Sequence, residues 1–463
     1  MTVPTDDLPA DWELSTVGEV ATDIQTGFAS GEHSSDGSGL PHFRPMNVSS
    51  QGLIDRAILK SVDPSLADRP ERRLERGDVL FNNTNSIKLV GKTAYFDDAD
   101  SPAFSNHMTR LRTDASKVEP EFLARYLHAC WARGLFEQLA NNHVSQASVG
   151  RKVLASVPLP LPPIPKQRQI IIFLKQVDDR RHRAIGQVER AQQLVSRFRQ
   201  AVLTAACSGV LTETWRAEHP NAVSVESALL ALSESPPRRR EGGSGALVDL
   251  TLPELPSTYL VATVGEAAET IEYGTSKRCD ADDDQVPVLR MGNIQNGELD
   301  LTDLKYCKLD SEIERLLLSD GDLLFNRTNS PELVGKSAVF HGRDEPMSFA
   351  SYLIRVRFRP SVANPDFVNL WINSFWGREW ARLTKTDGVS QSNINGAKLA
   401  RMPLPLPPLE EQHETVRLAR RLLDGSFLVT SQLDRVVRTV ESASQAATAL
   451  AFRGELTRSG VRE

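Results

Sequence analysis

The side chains best suited to chemistry fall in two matched pairs of segments. The first pair is "FNNTNSIKLVGK" at residues 81–92 and "FNRTNSPELVGK" at residues 325–336. Each sets Asn, Thr and Ser in a turn after an apolar run and follows them with a lysine. Asn85, Asn329, Lys92 and Lys336 could donate hydrogen bonds to phosphate, while the same residues could equally close the turn on itself through Asx bonds and leave a solvated lysine. The second copy has Arg327 where the first has Asn83. The other pair is "RGLFEQLANNHVSQ" at residues 133–146 and "REWARLTKTDGVSQ" at residues 378–391. Here the donors differ: Arg133, Asn141, Asn142 and His143 stand ahead of Ser145-Gln146, and Arg378, Arg382, Lys385 and Thr386 stand ahead of Ser390-Gln391. Asn and Gln match the major-groove edge of adenine, and Arg and Lys match that of guanine. Polar loop residues that merely face solvent have the same composition.

Signatures of other chemistry are missing. The chain has no GxxxxGK[ST], no GxGxxG after a strand, no HExxH and no nucleophile elbow. "NPDF" at residues 364–367 partly matches an Asn-Pro-Pro-aromatic methyltransferase motif, with an acidic third residue and no counterpart in the first copy. The histidines do not recur at shared positions in the two copies. Cys130, Cys207, Cys279 and Cys307 lack CxxC or CxxH spacing, so reduced thiols are expected rather than a metal site or a disulfide frame. A net charge of −6 argues against a uniformly basic surface and leaves room for a local basic groove. The acidic N-terminus and short apolar runs, such as "IIIFL" at residues 170–174, predict a cytoplasmic protein.

The elements that position these residues are written twice. "WELSTVGEV" at residue 12 is echoed by "YLVATVGEA" at 259, "RPMNVSSQGLID" at 44 by "RMGNIQNGELD" at 290, and "VSQASVGRKVLASVPLPLPPIPKQ" at 144 by "VSQSNINGAKLARMPLPLPPLEEQ" at 389. The offsets 259 − 12 = 247, 290 − 44 = 246 and 389 − 144 = 245 differ only by small insertions, so a unit of about 200 residues is duplicated. Residues identical in both copies cannot tell two targets apart, and scaffold, phosphate or partner work is expected of them. Divergent stretches, residues 22–39 against 269–285 and the second pair above, 133–146 against 378–391, are where two targets would be distinguished.

Within each copy short β-type runs separated by Gly and Asn turns lead to a helical patch, "PEFLARYLHACWARGLFEQL" in the first. The "PLPLPP" segment then fixes an extended chain, and a helix begins. From Ile170, apolar or small residues recur at Leu174, Val177, Ala184, Val188 and on to Ala205, with a skip at Arg181; adding 245 gives the same seam from Thr415 to Leu450, with its skip at Ser426. Such heptads predict a coiled coil, a rod on the order of 60 Å long. The expected fold class is therefore α+β: two similar globular α/β domains separated by two long helices that form a coiled-coil spacer, in an internal pseudo-twofold repeat. The expected divisions are a first domain at 1–162, its helix at 163–212, a flexible connector at 213–256, a second domain at 257–407 and its helix at 408–457. The Pro-, Gly- and Arg-rich stretch at 233–256 marks the connector.

A domain with "GDLLFNRTNSPELVGK", then "VSQSNINGAKLARMPLPLPPLEEQ", then a long helix, given twice, resembles the DNA-specificity subunit of type I restriction-modification systems. The resemblance implies a non-catalytic subunit with two target-recognition domains, each reading one half of a bipartite double-stranded DNA site. The helices would measure the spacer and dock two methyltransferase (modification) subunits, and restriction/translocase subunits would join for cleavage. It implies no cofactor in this chain, with S-adenosylmethionine and ATP/Mg held by partner subunits, and no membrane partner. Two other readings stay open from the residues alone: an enzyme of a restriction-methylation fusion type, and an assembly scaffold that does not read DNA.

Overall fold

The computed structural model describes residues 8–35, 38–142, 146–227, 229, 250–280, 285–342, 345–388 and 391–457. The chain forms two compact units, Met1–Val188 with Arg435–Glu463 and Glu189–Asp434. Each unit contains one globular domain of mixed sheet and helix, built to one plan.

In the first domain the opening strand Glu13–Thr16 pairs antiparallel with the proline strand Pro158–Leu161, and in the second Leu260–Thr263 pairs with Pro403–Leu406. Proline lacks a ladder donor, and these two-stranded sheets leave one side of each proline strand unpaired. The next residues form a one-turn helix closed by a capping box: Glu19 Oε2 accepts from Thr16 N at 2.9 Å and Glu266 Oε2 from Thr263 N at 2.7 Å. The shared "TVGE" is a turn signal in both copies.

The core of each domain is a four-stranded antiparallel sheet, Ala21–Thr26, Met108–Thr113, Val79–Asn82 and Thr93–Tyr95 in the first and Ala268–Tyr273, Leu353–Phe358, Asp322–Asn326 and Ser337–Phe340 in the second. Both edge strands carry the same bulge near their start. Gly27 and Gly274 then cross so close to the next chain that a Cβ would lie 2.2 Å from Phe104 O or 2.3 Å from Phe349 O, which requires glycine. The helical patch resolves into two helices per copy, Pro120–Ala132 and Leu135–Leu139, then Pro365–Asn373 and Phe375–Thr384. Gly134, at φ 78°, breaks the first pair; Ser374, whose hydroxyl accepts from Gly377 N, opens the second helix of the other. "NPDF" is a helix N-cap: the Asn364 side chain accepts from Asp366 N and Phe367 N.

The two long helices run Ile164–Cys207 and Leu409–Phe452, each of 44 residues, and 409 − 164 = 452 − 207 = 245. They begin one residue after the proline segments. A buried glutamine latches each to its domain. Gln167 Oε1 accepts from Glu119 N at 2.8 Å while its Nε2 donates to Lys117 O at 2.9 Å and Pro162 O at 2.8 Å. Gln412 repeats the pattern with Asn364 N, Val362 O and Pro407 O at 2.8, 3.0 and 3.0 Å. This explains why "PP" and Gln recur together at fixed spacing.

In the second unit the end of the first helix lies antiparallel to the second: Gln192 bonds Asp434 and, seven residues on, Arg199 bonds Ser426 at 2.7 Å. Ser426 is the skip in the apolar seam. Arg199 fills it and rests over the Phe427 ring at 4.1 Å. The seam is incompletely covered, because Ile170, Leu174, Val188 and Val202 are buried whereas Phe198, Leu422, Val429, Val436 and Leu450 are exposed. The helix ends pack on globular domains: Val202, Leu203, Ala206 and Cys207 belong to the core of the second unit, and Ala451 and Phe452 to that of the first.

Candidate nucleic-acid interface

A small three-stranded sheet in each domain brings the two candidate motifs together. In the first, Asn141–Asn142 pairs with Ala147–Ser148, which pairs with Thr84–Asn85 of the "FNNTNS" segment. In the second, Thr386–Asp387 pairs with Ser392–Asn393, which pairs with Thr328–Asn329. A shared turn thus anchors a divergent hairpin. Asn85 and Asn329 each accept a bond from the next residue's N–H, Ser86 N and Ser330 N, at 2.8 Å, so both side chains brace the turn.

The hairpin of the first domain presents Asn141, Asn142 and Gln146 to solvent. His143 and Ser145 lie outside the described residues, as does Ser390 of the second copy. Arg133 is exposed at the C-terminal cap of its helix. Lys92 is buried, and its ammonium donates to Val48 O, so its charge faces the domain interior. Burial holds the pKa of Lys92 below the usual lysine range.

The second hairpin is built differently. Thr386 and Gln391 are exposed. Lys385 Nζ donates to Asp387 Oδ1 at 2.6 Å, a pairing that holds the Asp387 carboxyl below its ordinary range. Lys398 Nζ bonds Thr384 O at 2.6 Å and Thr386 Oγ1 at 2.8 Å, bracing the strand from a short helix. Arg327 stacks on the Tyr273 ring at 4.9 Å, with its terminal nitrogens 3.3 Å from Ser351 O and Asn393 Oδ1. Arg378 donates to Val334 O at 2.9 Å and Glu332 O at 2.7 Å; it holds the shared "LVGK" turn from behind, and burial lowers its pKa. Arg382 is exposed and pairs with Glu379 at 2.7 Å. Lys336 is half-buried, with its pKa lowered by burial and then by Arg378.

Of the candidate residues, the structure gathers Asn141, Asn142, Gln146, Thr386 and Gln391 on the two hairpins, with Lys385 and Arg327 beside the second. Lys92 and Arg378 direct their donors inward. Among the described residues no group of three His, Cys, Asp or Glu side chains could hold a metal, and no helix is long and apolar enough to cross a membrane.

The family model described as the type I restriction modification DNA specificity domain matches twice, over residues 9–190 and 256–425. The chain belongs to this family. Among curated relatives of this specificity-family chain, the StySPI specificity subunit of Salmonella potsdam is 25% identical over 97% of this chain and 90% of its own. The EcoKI specificity subunit of Escherichia coli (strain K12) is 26% identical over the same shares. Among solved structures, a chain from work on complex assembly and conformational transition of the type I R-M system has a TM-score of 0.66 at 18% identity, covering 97% of this chain and 99% of that one. That likeness supports the fold alone.

Within this specificity-family member, two residues beside the second hairpin escaped the sequence reading. Tyr273 lies inside a stretch recognised as divergent, but its pairing with Arg327 depends on the fold. Lys398 stands in a segment that reads as shared, "VSQSNINGAKLA", and its first-copy counterpart is the apolar Val153. A side-by-side comparison of charges within that motif contains the signal.

Proposed function

We propose that each globular domain reads one half of a bipartite double-stranded DNA target, with the hairpins at 141–148 and 386–393 as the reading elements. The observation that carries this is the contrast on one shared sheet: two exposed asparagines in the first copy, and a lysine-braced Thr-Asp strand in the second. Asparagine pairs suit adenine edges, and a threonine-bearing hairpin entered through Lys385 suits guanine and phosphate. The chain acts as the non-catalytic recognition subunit of a cytoplasmic complex. Methyltransferase subunits would bring S-adenosylmethionine, and restriction/translocase subunits ATP and Mg.

The apolar depression lined by Leu194, Val195, Phe198, Leu422 and Val429 supports the docking of partner subunits on the helices. Water-exposed seam residues are costly unless a partner covers them. The helices also set the spacing of the half-sites. A heptad inserted between Val188 and Val195 and matched between Leu433 and Val440 preserves the pairing near Gln192 and Asp434 and adds about 10 Å. Mapped methylation sites should then carry a spacer about three base pairs longer, at about 3.4 Å per base pair; an unchanged spacer would show that the helices hold partners without measuring DNA.

The reading function is tested by exchanging residues 22–146 for the matching segment of a relative and mapping methylated bases in a host that carries the modification subunits. One half-site should change and the other remain. Changes in both would end the assignment of one half-site to each domain.

A further inference from the structure

The second domain contains a pair of facing cysteines that the first domain lacks. Asp280 and Tyr306 form an antiparallel bridge, with Asp280 N to Tyr306 O at 3.0 Å and Tyr306 N to Asp280 O at 2.9 Å. Next to a pair that exchanges both bonds comes a non-bonded pair whose Cα atoms approach to about 4.5 Å. That neighbouring pair is Cys279 and Cys307. Both thiols approach carbonyls of one loop, Cys279 Sγ to Lys277 O at 3.6 Å and Cys307 Sγ to Arg278 O at 3.7 Å, which sets the two sulfurs on the same side of the bridge. The separation falls in the range of about 4.4–6.8 Å between Cα atoms that a disulfide spans. Cys279 is partly exposed, whereas Cys130, Cys207 and Cys307 are buried. In the first domain the equivalent bridge joins Ser34 to Ser61, which puts His33 and Val62 at the two cysteine positions.

We propose that Cys279 and Cys307 form a modification site, a cross-strand dithiol that peroxide closes to a disulfide, fastening the divergent segment of the second domain to the strand Lys305–Cys307. The Cys279 thiolate attacks one peroxide oxygen, the O–O bond breaks and the departing hydroxide takes a proton to become water. The Cys307 thiolate then attacks the sulfur of the resulting sulfenic acid, the S–S bond forms, the S–O bond breaks and a second water leaves. Two thiols are oxidised by two electrons and one peroxide is reduced. Burial first, and then its interaction with Cys307, push the Cys279 thiol up to about 12, so the thiolate fraction is small at neutral pH and closure by peroxide is slow. The inference stands on the geometry of one domain and does not depend on how DNA is read.

The test uses the full chain. It is treated with hydrogen peroxide, unfolded, alkylated and mapped by mass spectrometry. The wild type should fall from four alkylated cysteines to two, with a linked peptide pair containing Cys279 and Cys307. Its second unit should melt roughly 5–10 °C higher, because the cross-link constrains the unfolded chain. Cys307→Val, the residue of the first domain, and Cys279→Ser should each abolish the link and the shift, and either variant suffices should the other fold poorly. Four alkylatable cysteines after oxidation, or a link that joins other cysteines or two chains, would overturn the proposal.

Discussion

The two domains share one plan and solve one internal problem in different ways. Each buries an arginine in its central strand, Arg110 and Arg355, both 1% exposed. In the second domain the nearest carboxylate is Glu272, directly across the ladder from Arg355, with the buried Asp322 at 3.6 Å. In the first the residue across from Arg110 is Gln25, and the carboxylate comes from Asp23, two residues along the same face, at 2.5 Å. The charge pair is kept while its address moves. What a duplicated scaffold holds constant is the satisfaction of a buried group rather than the identity of every contact. The hairpins show the opposite behaviour, since an unchanged backbone pairing carries unlike side chains.

Acid should separate the domains most. His42 and His128 of the first domain have Val288 and Asn373 as counterparts. Burial, the leading cause for both, pushes their pKa down to about 4, against 6.5 in the unfolded chain. Between these values the unfolded state binds more protons, so the destabilisation is absent above pH 6.5 and grows as pH falls toward 4. At pH 5 the loss is roughly 2 kcal/mol per histidine. Hydrogen exchange resolved by peptide should show the first domain opening before the second on acidification; simultaneous opening would contradict the asymmetry.

A smaller and symmetric effect belongs to the glutamine latches. Gln412→Ala leaves Asn364 N, Val362 O and Pro407 O without their partner and should cost the second domain about 3 kcal/mol. Gln167→Ala should do the same to the first. The readout is the denaturant midpoint of each domain, and equal sensitivity of both domains to one substitution would mean that the latch is not local. Asp23→Ala should cost about 2 kcal/mol, because it leaves a buried guanidinium whose carboxylate partner was itself half-exposed. Adding Gln25→Glu installs the arrangement of the second domain and should restore most of the loss. If it restores nothing, the two addresses are not equivalent.

Much of this architecture was legible because repetition exposes it. Positions that recur at a nearly fixed offset proved to be caps and latches: the capping boxes, and Gln167 and Gln412. Heptad spacing announced both helices to within a few residues of their ends. The small sheet was not legible, since its strands are two residues long and join segments some 60 residues apart, with no periodicity to read. The inward turn of Lys92 was equally hidden, because a lysine after a glycine turn reads the same whether its ammonium meets water or Val48 O. Exposed seam residues such as Phe198 carry the heptad signal whether or not another helix covers them.

The turn after the second long helix has a topological consequence. At Gly454 a Cβ would lie 2.3 Å from Pro9 and 3.2 Å from Trp12, so the end of that helix rests on the residues that open the first domain. Gly209, after the first helix, meets Pro256 and Tyr259 of the second domain in the same manner. The turn that ends each long helix therefore rests on residues just ahead of a globular domain's first strand, Pro9 and Trp12 in one case and Pro256 and Tyr259 in the other. A circular permutant that joins the present ends by a short linker and starts near residue 250 should keep the melting behaviour of both domains.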